Sequence, residues 1–224
     1  MMGLENFQPT PFLDLLSTEL VARLRAAGHQ RTLTDGQFVH SRGDQNPGLC
    51  IIENGAAQAG IYEASGLFTL TSYIGRGHTF GEFTVFTSLP RTHDISALGE
   101  TTLLEIPAAR FNALCDAEPR YLRAMLEATL MRSHMLLEML HALRSLPRLP
   151  RVAKFLLILS PPSATRQILR FRQSDLAASL GLSRATLNHA LSDLSDAGLI
   201  ERGYGQLCIP DRGALVDWLN TARS

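Results

Sequence analysis

The stretch SDLAASLGLSRATLNHALSDLSDAGLI, Ser174 to Ile200, leaves the chain little freedom of local structure. Ser174 supplies an N-cap, and Asp175 suits the first turn of a helix, where a carboxylate meets the positive end of the dipole. Leu176, Ala177 and Leu180 make one face of that short helix. Gly181 breaks it and Leu182 plugs the corner. Ser183 then caps a second helix running to about Ala197, with Gly198 just past its end, where left-handed backbone is easiest without a Cβ. Leu187, Leu191 and Leu194 form the inner stripe of this second helix. At about 100° per residue its outer face carries Ala185, Asn188, His189 and Ser192, with Arg184 at the N-terminus.

Two short helices joined by a glycine corner make a helix-turn-helix, whose second helix enters the DNA major groove by its N-terminus. Small outer residues allow close approach, and Arg, Asn and His can hydrogen-bond to base edges or phosphates. The competing reading is a helical hairpin inside some other domain. The following LIERGYGQLCI weighs against it, because it reads as two short strands around a Gly203–Gly205 turn, a wing beside the second helix. Charge points the same way. Residues 1–149 hold 12 Lys+Arg against 15 Asp+Glu, a net of −3, whereas residues 150–224 hold 9 against 6, a net of +3. The basic end is the one suited to an anion.

Upstream the pattern differs. From Arg31 to Pro107, short apolar or alternating runs (Phe38–His40, Leu49–Ile52, Ala59–Tyr62, Phe68–Ile74, Leu103–Ile106) are punctuated by Gly36, Gly43, Gly48, Gly55, Gly60, Gly66 and Gly77. Many short strands with frequent turns predict a closed or rolled all-β domain, preceded by an amphipathic helix around Asp14–Ala27. From Pro119 to about Arg144 no internal Pro or Gly occurs, and Leu122, Leu126, Thr129, Ser133, Leu136, Leu140 and Leu143 recur at alternating steps of four and three. That is a heptad seam. Leu130, Leu137 and Met139 add apolar surface beside it. The helix either lies singly on the β domain or covers it with one side and a partner helix with the other; two apolar sides favour the second. Pro147 and Pro150 then end or kink the helix, and Arg151–Leu159 reads as a short helix stopped by Ser160-Pro-Pro162.

One segment, FGEFTVFTSLPRTH (Phe80–His93), sets Gly81 and Glu82 at one end of an apolar run and Arg91 and Thr92 at the other. Unpaired charge is costly away from water. Glu82 and Arg91 therefore either pair with each other or hold something polar between them.

With these parts in this order, the chain resembles the CRP/FNR family of bacterial transcription regulators over nearly its whole length. SRATLNHALSDLSDAGLI is similar to the family's recognition helix and the turn after it; FGE, then PR after the apolar run, is similar to its phosphate-binding cassette. The resemblance implies an α+β architecture. An N-terminal double-stranded β-roll (a cupin-like jelly roll), the cyclic-nucleotide-binding-like sensor domain, would span 1–118. A long dimerisation helix would span 119–146, a hinge 147–150, and a C-terminal winged helix-turn-helix domain 151–224. In nucleotide-binding relatives the cassette glutamate accepts from a ribose hydroxyl and the arginine meets the cyclic phosphate. Carried over, Glu82 takes the ribose and Arg91 the phosphate of cyclic AMP or cyclic GMP, Gly81 and Thr92 supply donors, and the apolar run forms a supporting wall. Thr129 and Ser133 are small polar groups of the long helix that fix register or reach the ligand. Some relatives keep the cassette without a nucleotide, so a Glu82–Arg91 salt bridge in an empty or differently filled roll stands as the competing expectation.

Two departures matter. The adjacent Thr-Ser pair with which cyclic-AMP-responsive relatives reach the adenine falls near Leu136-Leu137 here, and leucines cannot donate to a purine edge. Relatives that read TGTGA carry a glutamate after the arginine and a second arginine later; Ala185 and His189 stand there instead, so a different half-site is expected. Iron–sulfur members use N-terminal cysteines, but the first cysteine here is Cys50, which argues against a cluster. Haem would need ligand spacing that His29, His40, Cys50, His78 and His93 do not show.

The expected function is a homodimeric, effector-gated transcription regulator that binds a palindromic double-stranded DNA operator through Ser183, Arg184, Ala185, Asn188, His189 and Ser192, with RNA polymerase as a further partner. Competing readings are a cyclic-nucleotide-binding regulatory protein acting without DNA, for which 224 residues leave no room for a fused catalytic or channel segment, and a haem-type gas or redox sensor of the same family. An enzyme is disfavoured, since no nucleophile–base arrangement, metal cluster or P-loop supports one. No apolar stretch reaches the roughly 18 residues of a membrane span, and MMGLENFQPTPFLDLL lacks the features of a signal peptide. Three widely spaced cysteines give no disulfide framework. The cytoplasm is the expected compartment.

Overall fold

The computed structural model describes residues 10–64, 68–87, 89–160, 167–170, 173–203 and 206–222. Of the features expected from sequence, Gly66, Pro161, Pro162 and Gly205 lie outside them, as do the first nine residues of the expected sensor domain. The chain divides into two compact units, one from Thr10 to Met131 and the other holding Arg132 onward.

In the first unit a single 3-10 turn, Phe12–Leu15, precedes α1 (Thr18–Ala27), which Ser17 caps by accepting from the Leu20 amide. The strands follow: β1 (His29–Leu33), β2 (Phe38–His40), β3 (Gly48–Tyr62), β4 (Phe68–Gly75), β5 (Thr79–Phe80) and β6 (Asp94–Pro107), with a short helix α2 (Glu82–Phe86) between the last two. All pair antiparallel in the order β1-β6-β3-β4, with β2 added on β6 and β5 on β3. Leu49–Ile52 and Ala59–Tyr62, separate runs in the sequence, are two ends of the one strand β3. Gly55, at φ 79°, marks the irregularity between them, where the register to β6 shifts twice. Gly48 and Gly60 lie within β3 rather than in turns.

Successive strand residues point to opposite faces. Leu49, Ile51, Leu104 and Ile106 face one way and pack with Leu20 and Leu24 of α1, Phe111 and Cys115 of α3 (Ala108–Ala117), and Tyr121, Ala124, Met125 and Ala128 of the long helix α4 (Arg120–Ser145). Cys50, Ile52, Ala57, Ala59, Phe80, Ile95, Ala97 and Leu103 face the other way into a second core enclosed by the strands themselves. This explains the unbroken apolar run LCII: both faces are covered, as in a strand with no solvated side.

In the second unit α5 (Arg148–Leu159) starts directly after Pro147, so three of the four residues assigned to a hinge are its first turn. Pro150 is tolerated there because first-turn amides have no intrahelical partner. The remaining elements are β7 (Gln167–Arg170), α6 (Gln173–Ser179), α7 (Arg184–Asp196), β8 (Glu201–Gly203), β9 (Gln206–Ile209) and α8 (Arg212–Thr221). The three strands form an antiparallel sheet in the order β7-β9-β8. Ser174 is not an N-cap: α6 begins one residue earlier, and the Ser174 hydroxyl donates to Asp175 Oδ1 at 2.9 Å. No helix among the described residues is long and apolar enough to cross a membrane.

Candidate functional site

The turn from β5 into α2 brings the two charged ends of Phe80–His93 near each other without joining them. Gly81 has φ 98°, left-handed backbone that favours glycine. A Cβ there would also lie 1.9 Å from Arg91 Nη1 and 2.5 Å from the Gly48 carbonyl oxygen. The guanidinium thus lies directly against the Gly81 backbone. Arg91 is held from both sides: its amide donates to Asp44 O at 2.8 Å, and its carbonyl accepts from Gly43 N at 2.9 Å. The side chain is 7% exposed. Nη2 donates to Asn46 O at 3.1 Å, while buried Nε and Nη1 have no hydrogen-bond partner among the described residues.

Glu82 does not pair with this arginine. Its Oε1 accepts from the Thr79 hydroxyl, which also lies 3.9 Å from Met125 Sδ on α4. Among the described residues no other charge pairs with Arg91 either. Burial pushes the Cys50 thiol up to about 12 despite Arg91, so it stays protonated. Burial, then Arg91, lowers His40 to about 4, so its ring is neutral at pH 7, 5.4 Å from the Phe80 ring. The result is a buried cation with two nitrogens, Nε and Nη1, that no described residue hydrogen-bonds, and with no ion pair to a described carboxylate. That is costly unless something negative completes it.

The apolar run between the charged ends is not a buried wall. Thr84 and Val85 turn inward, but Phe83, Phe86 and Leu89 are exposed. A five-residue helix has too few turns to bury every apolar side chain. Thr84, unmarked in the sequence reading, pins α2 in place: its hydroxyl donates to Gly81 O at 2.8 Å and accepts from Gly48 N at 3.2 Å. Thr92 is exposed, with Oγ1 2.9 Å from His93 Nδ1. Thr129 is half-buried on the cassette's own unit, whereas Ser133 is exposed and belongs to the second unit.

Helix α4 has two apolar sides. Tyr121, Ala124, Met125 and Ala128 are buried, and the Tyr121 hydroxyl donates to Leu20 O at 2.8 Å. Leu122, Leu126 and Leu130 in its first half, and Leu136, Leu137 and Leu140 in its second, are each about half or more exposed. Leu143 is half-buried.

The second helix of the pair is α7. Ser183 caps it, accepting from Thr186 N at 3.1 Å. The preceding α6 ends in a Schellman pair of bonds, Leu182 N to Ala177 O and Gly181 N to Ala178 O, around Gly181 at φ 63°. The same pair closes α7 at Gly198 and Leu199. Leu187, Ala190, Leu191 and Leu194 are buried on its inner side. Arg184, Ala185 and His189 are exposed, and Asn188 and Ser192 half-exposed, on the other. Asn188 has a partner outside the helix: its Oδ1 accepts from Arg202 Nη2 of β8 at 3.0 Å. Arg202 carried no signal in the sequence beyond its charge.

Comparison with known proteins agrees with both halves. A family model described as a cyclic nucleotide-binding domain matches residues 30–118, and one described as a Crp-like helix-turn-helix domain matches residues 150–218. Among solved structures, CLP of Xanthomonas campestris, described as a c-di-GMP-responsive global regulator, is 22% identical with a TM-score of 0.69 over 86% of this chain and 99% of that one. A CooA variant from Carboxydothermus hydrogenoformans is 17% identical with a TM-score of 0.71 over 96% and 98% of the two chains. FixK2 of Bradyrhizobium japonicum is 18% identical with a TM-score of 0.68 over 85% and 96%. Among curated proteins, lysophospholipase NTE1 of Cryptococcus neoformans is 32% identical over 107 residues, 48% of this chain. The chain spans only 6% of that relative's length, within its cyclic nucleotide-binding part.

Proposed function

Because the chain belongs to the CRP/FNR family of helix-turn-helix transcription regulators with a cyclic nucleotide-binding domain, we propose that it is a homodimer whose grip on a palindromic operator is gated by a phosphate-bearing effector at Arg91. The observation that carries the gating is the buried guanidinium with two unpartnered nitrogens. A phosphate fits those donors, since arginine presents a planar fork and charge-assisted bonds are about twice as strong as neutral ones. Glu82 accepts from a sugar hydroxyl, Gly81 and Thr92 donate, and Thr129 approaches from the long helix. Cyclic AMP, cyclic GMP and, by analogy with the regulator CLP, cyclic di-GMP are the ligands to try.

Two copies meet along α4 through Leu122, Leu126, Thr129, Ser133, Leu136, Leu140 and Leu143, which supports the heptad reading with leucines that a single chain leaves exposed. Helix α7 enters the major groove and reads DNA with Ser183, Arg184, Ala185, Asn188, His189 and Ser192. The bound dimer acts in the cytoplasm on RNA polymerase at nearby promoters. The domains run 1–118, 119–146 and 151–224, with the connection at 147–150 narrowed to Pro147 by the start of α5 at Arg148. The test is equilibrium binding of the full chain to genomic DNA fragments with and without each nucleotide. A ligand-dependent change in affinity, lost in Arg91→Ala, supports the reading. No DNA binding under any condition overturns it.

A further inference from the structure

We propose that Arg202, on the first strand of the wing, is a positioning residue that determines which base Asn188 reads. The inference rests on the DNA-reading role of α7 and deepens it. An asparagine carboxamide carries an accepting oxygen and a donating NH2 side by side in one plane. Its usual partner in the major groove is adenine, to which it both donates, at N7, and accepts, from the N6 amino group. Here the oxygen is already engaged by Arg202 Nη2 at 3.0 Å, across from β8. That contact orients the amide so that Nδ2 faces away from the wing. The oxygen keeps its second lone pair, but it is held on the β8 side, so the groove meets Asn188 through its NH2 donors. Guanine, with N7 and O6 both accepting, matches such a group; adenine, whose N6 amino group needs an acceptor, does not.

Three features of the fold make the contact directional. The end of α7 is closed by the bonds at Gly198 and Leu199, so β8 follows the helix after only a short turn. β8 pairs with β9 at Arg202–Leu207, and Leu207 is buried in the domain core, which fixes the strand that carries the arginine. Asn188 is followed on its helix by exposed His189 and buried Ala190, so the helix cannot rotate to offer another face without exposing Leu187 and Leu191. Arginine also suits the role chemically. Its planar fork holds one carboxamide oxygen and keeps its other donors for a phosphate, which a lysine's point charge cannot do with the same geometry.

The test is selection of bound sequences from a random duplex pool. The full chain, Asn188→Ala, Arg202→Lys, Arg202→Ala and the Asn188→Ala/Arg202→Lys double variant are compared, each with its affinity measured against salt. Asn188→Ala identifies the operator positions that depend on Asn188. At those positions the wild type is expected to select guanine. Arg202→Lys keeps the charge and loses the fork, so its salt slope stays near that of the wild type while the guanine-to-adenine ratio there falls about tenfold, the scale of one good base contact. The double variant should show no further loss at those positions. Adenine selected by the wild type at the Asn188-dependent positions overturns the proposal. So does an Arg202→Lys variant with unchanged preferences, or an Arg202→Ala variant that only weakens binding to all sequences alike with a salt slope lower by about one, the behaviour of a phosphate contact. A wild-type pool with no enriched sequence fails the DNA-reading role itself and takes the proposal with it.

Discussion

Arg91 shows how one residue can be wrong for the folded chain and right for its task. Its guanidinium is buried with a single neutral hydrogen bond from its side chain, to Asn46 O, and no ion pair among the described residues. A methionine of similar length would occupy the space without the desolvation cost, and buried charges replaced by apolar groups are often neutral or stabilising. Arg91→Met is therefore expected to unfold at a urea concentration no lower than wild type, while its affinity for a cyclic nucleotide drops by about 10- to 150-fold, the loss of a hydrogen bond to a charged group worth 1.5–3 kcal/mol. Denaturation and calorimetry together check this; a variant that loses stability and binds as before would make Arg91 a structural residue. The sequence flagged this arginine and its glutamate, but not that the two would miss each other. That depended on Thr79, Asn46 and Thr84, ordinary residues whose roles exist only once β3, β5 and α2 are brought together. His40 adds a pH dependence. The folded ring stays neutral down to about pH 4, chiefly through burial and then through Arg91, whereas a free imidazole titrates near 6.5. The unfolded chain thus binds more protons between those values, so stability falls as pH drops from about 6.5 to 4, by up to about 3 kcal/mol. Asp44 and Asp94 oppose the lowering and Arg31 adds to it. His40→Gln should flatten the fall in urea midpoint over that window, leaving the smaller part due to His93, which is lowered by burial as well.

Elements carry the next scale of argument, because α4 and α7 each present two faces with different work. On α4 the heptad pattern was legible, since a run from Pro119 to Arg144 without Pro or Gly can hardly be anything but helix. The buried face was less so: Tyr121, Ala124, Met125 and Ala128 include two alanines, which periodicity counts poorly, and a tyrosine whose hydroxyl needs the Leu20 carbonyl. The exposed leucines permit a sharp test. Leu140 is half exposed in the single chain, so Leu140→Glu should leave the fold intact; in a dimer seam it would bury a charge, at several kcal/mol. Sedimentation should show folded monomer, and an unchanged dimer would remove the seam from the account. On α7 the opposite result is expected for Leu187, which is 0% exposed: Leu187→Ala should lower stability by about 2–5 kcal/mol by leaving a cavity, measured by thermal or urea unfolding of the full chain. The elements missed in the sequence, β1, β5, α2, α3, β7 and α8, run to ten residues at most. α3 opens directly on the end of β6, so no loop announced it, and β7 is a strand only because β9 pairs with it. Ser174 looked like a cap because it precedes an apolar stripe, but the helix had already begun.

For the whole molecule, the order of parts was the strongest signal: glycine-punctuated strands, then an uninterrupted helix, then a helix–corner–helix with a wing. Each part is ambiguous alone, and the curated lysophospholipase match shows that the first also occurs inside much larger proteins. The combination places the chain in its family; on the proposal made above, contacts such as Asn188–Arg202 then set the operator. Symmetry does constrain it. Two copies related by a twofold axis carry two α7 helices, and both can sit in successive major grooves only if the half-sites lie about 34–36 Å apart, or roughly 10 base pairs. One head alone gains little from its net charge, since the portion from residue 150 on carries only +3. In the proposed dimer, tight binding comes from engaging both half-sites at once, where linkage multiplies affinity by roughly 10²–10⁴. Inserting about 5 base pairs between the half-sites of a selected operator turns one of them to the far side of the duplex. Affinity is expected to fall by that whole factor, to the level of Leu140→Glu on the original site. Inserting about 10 base pairs restores the facing but doubles the span, which a dimer held at α4 reaches only if its reading heads can separate; recovery there, against none at 5, would measure that freedom by gel shift. Equal binding to all three spacings would mean that the heads act independently and that the long helix does not hold them together.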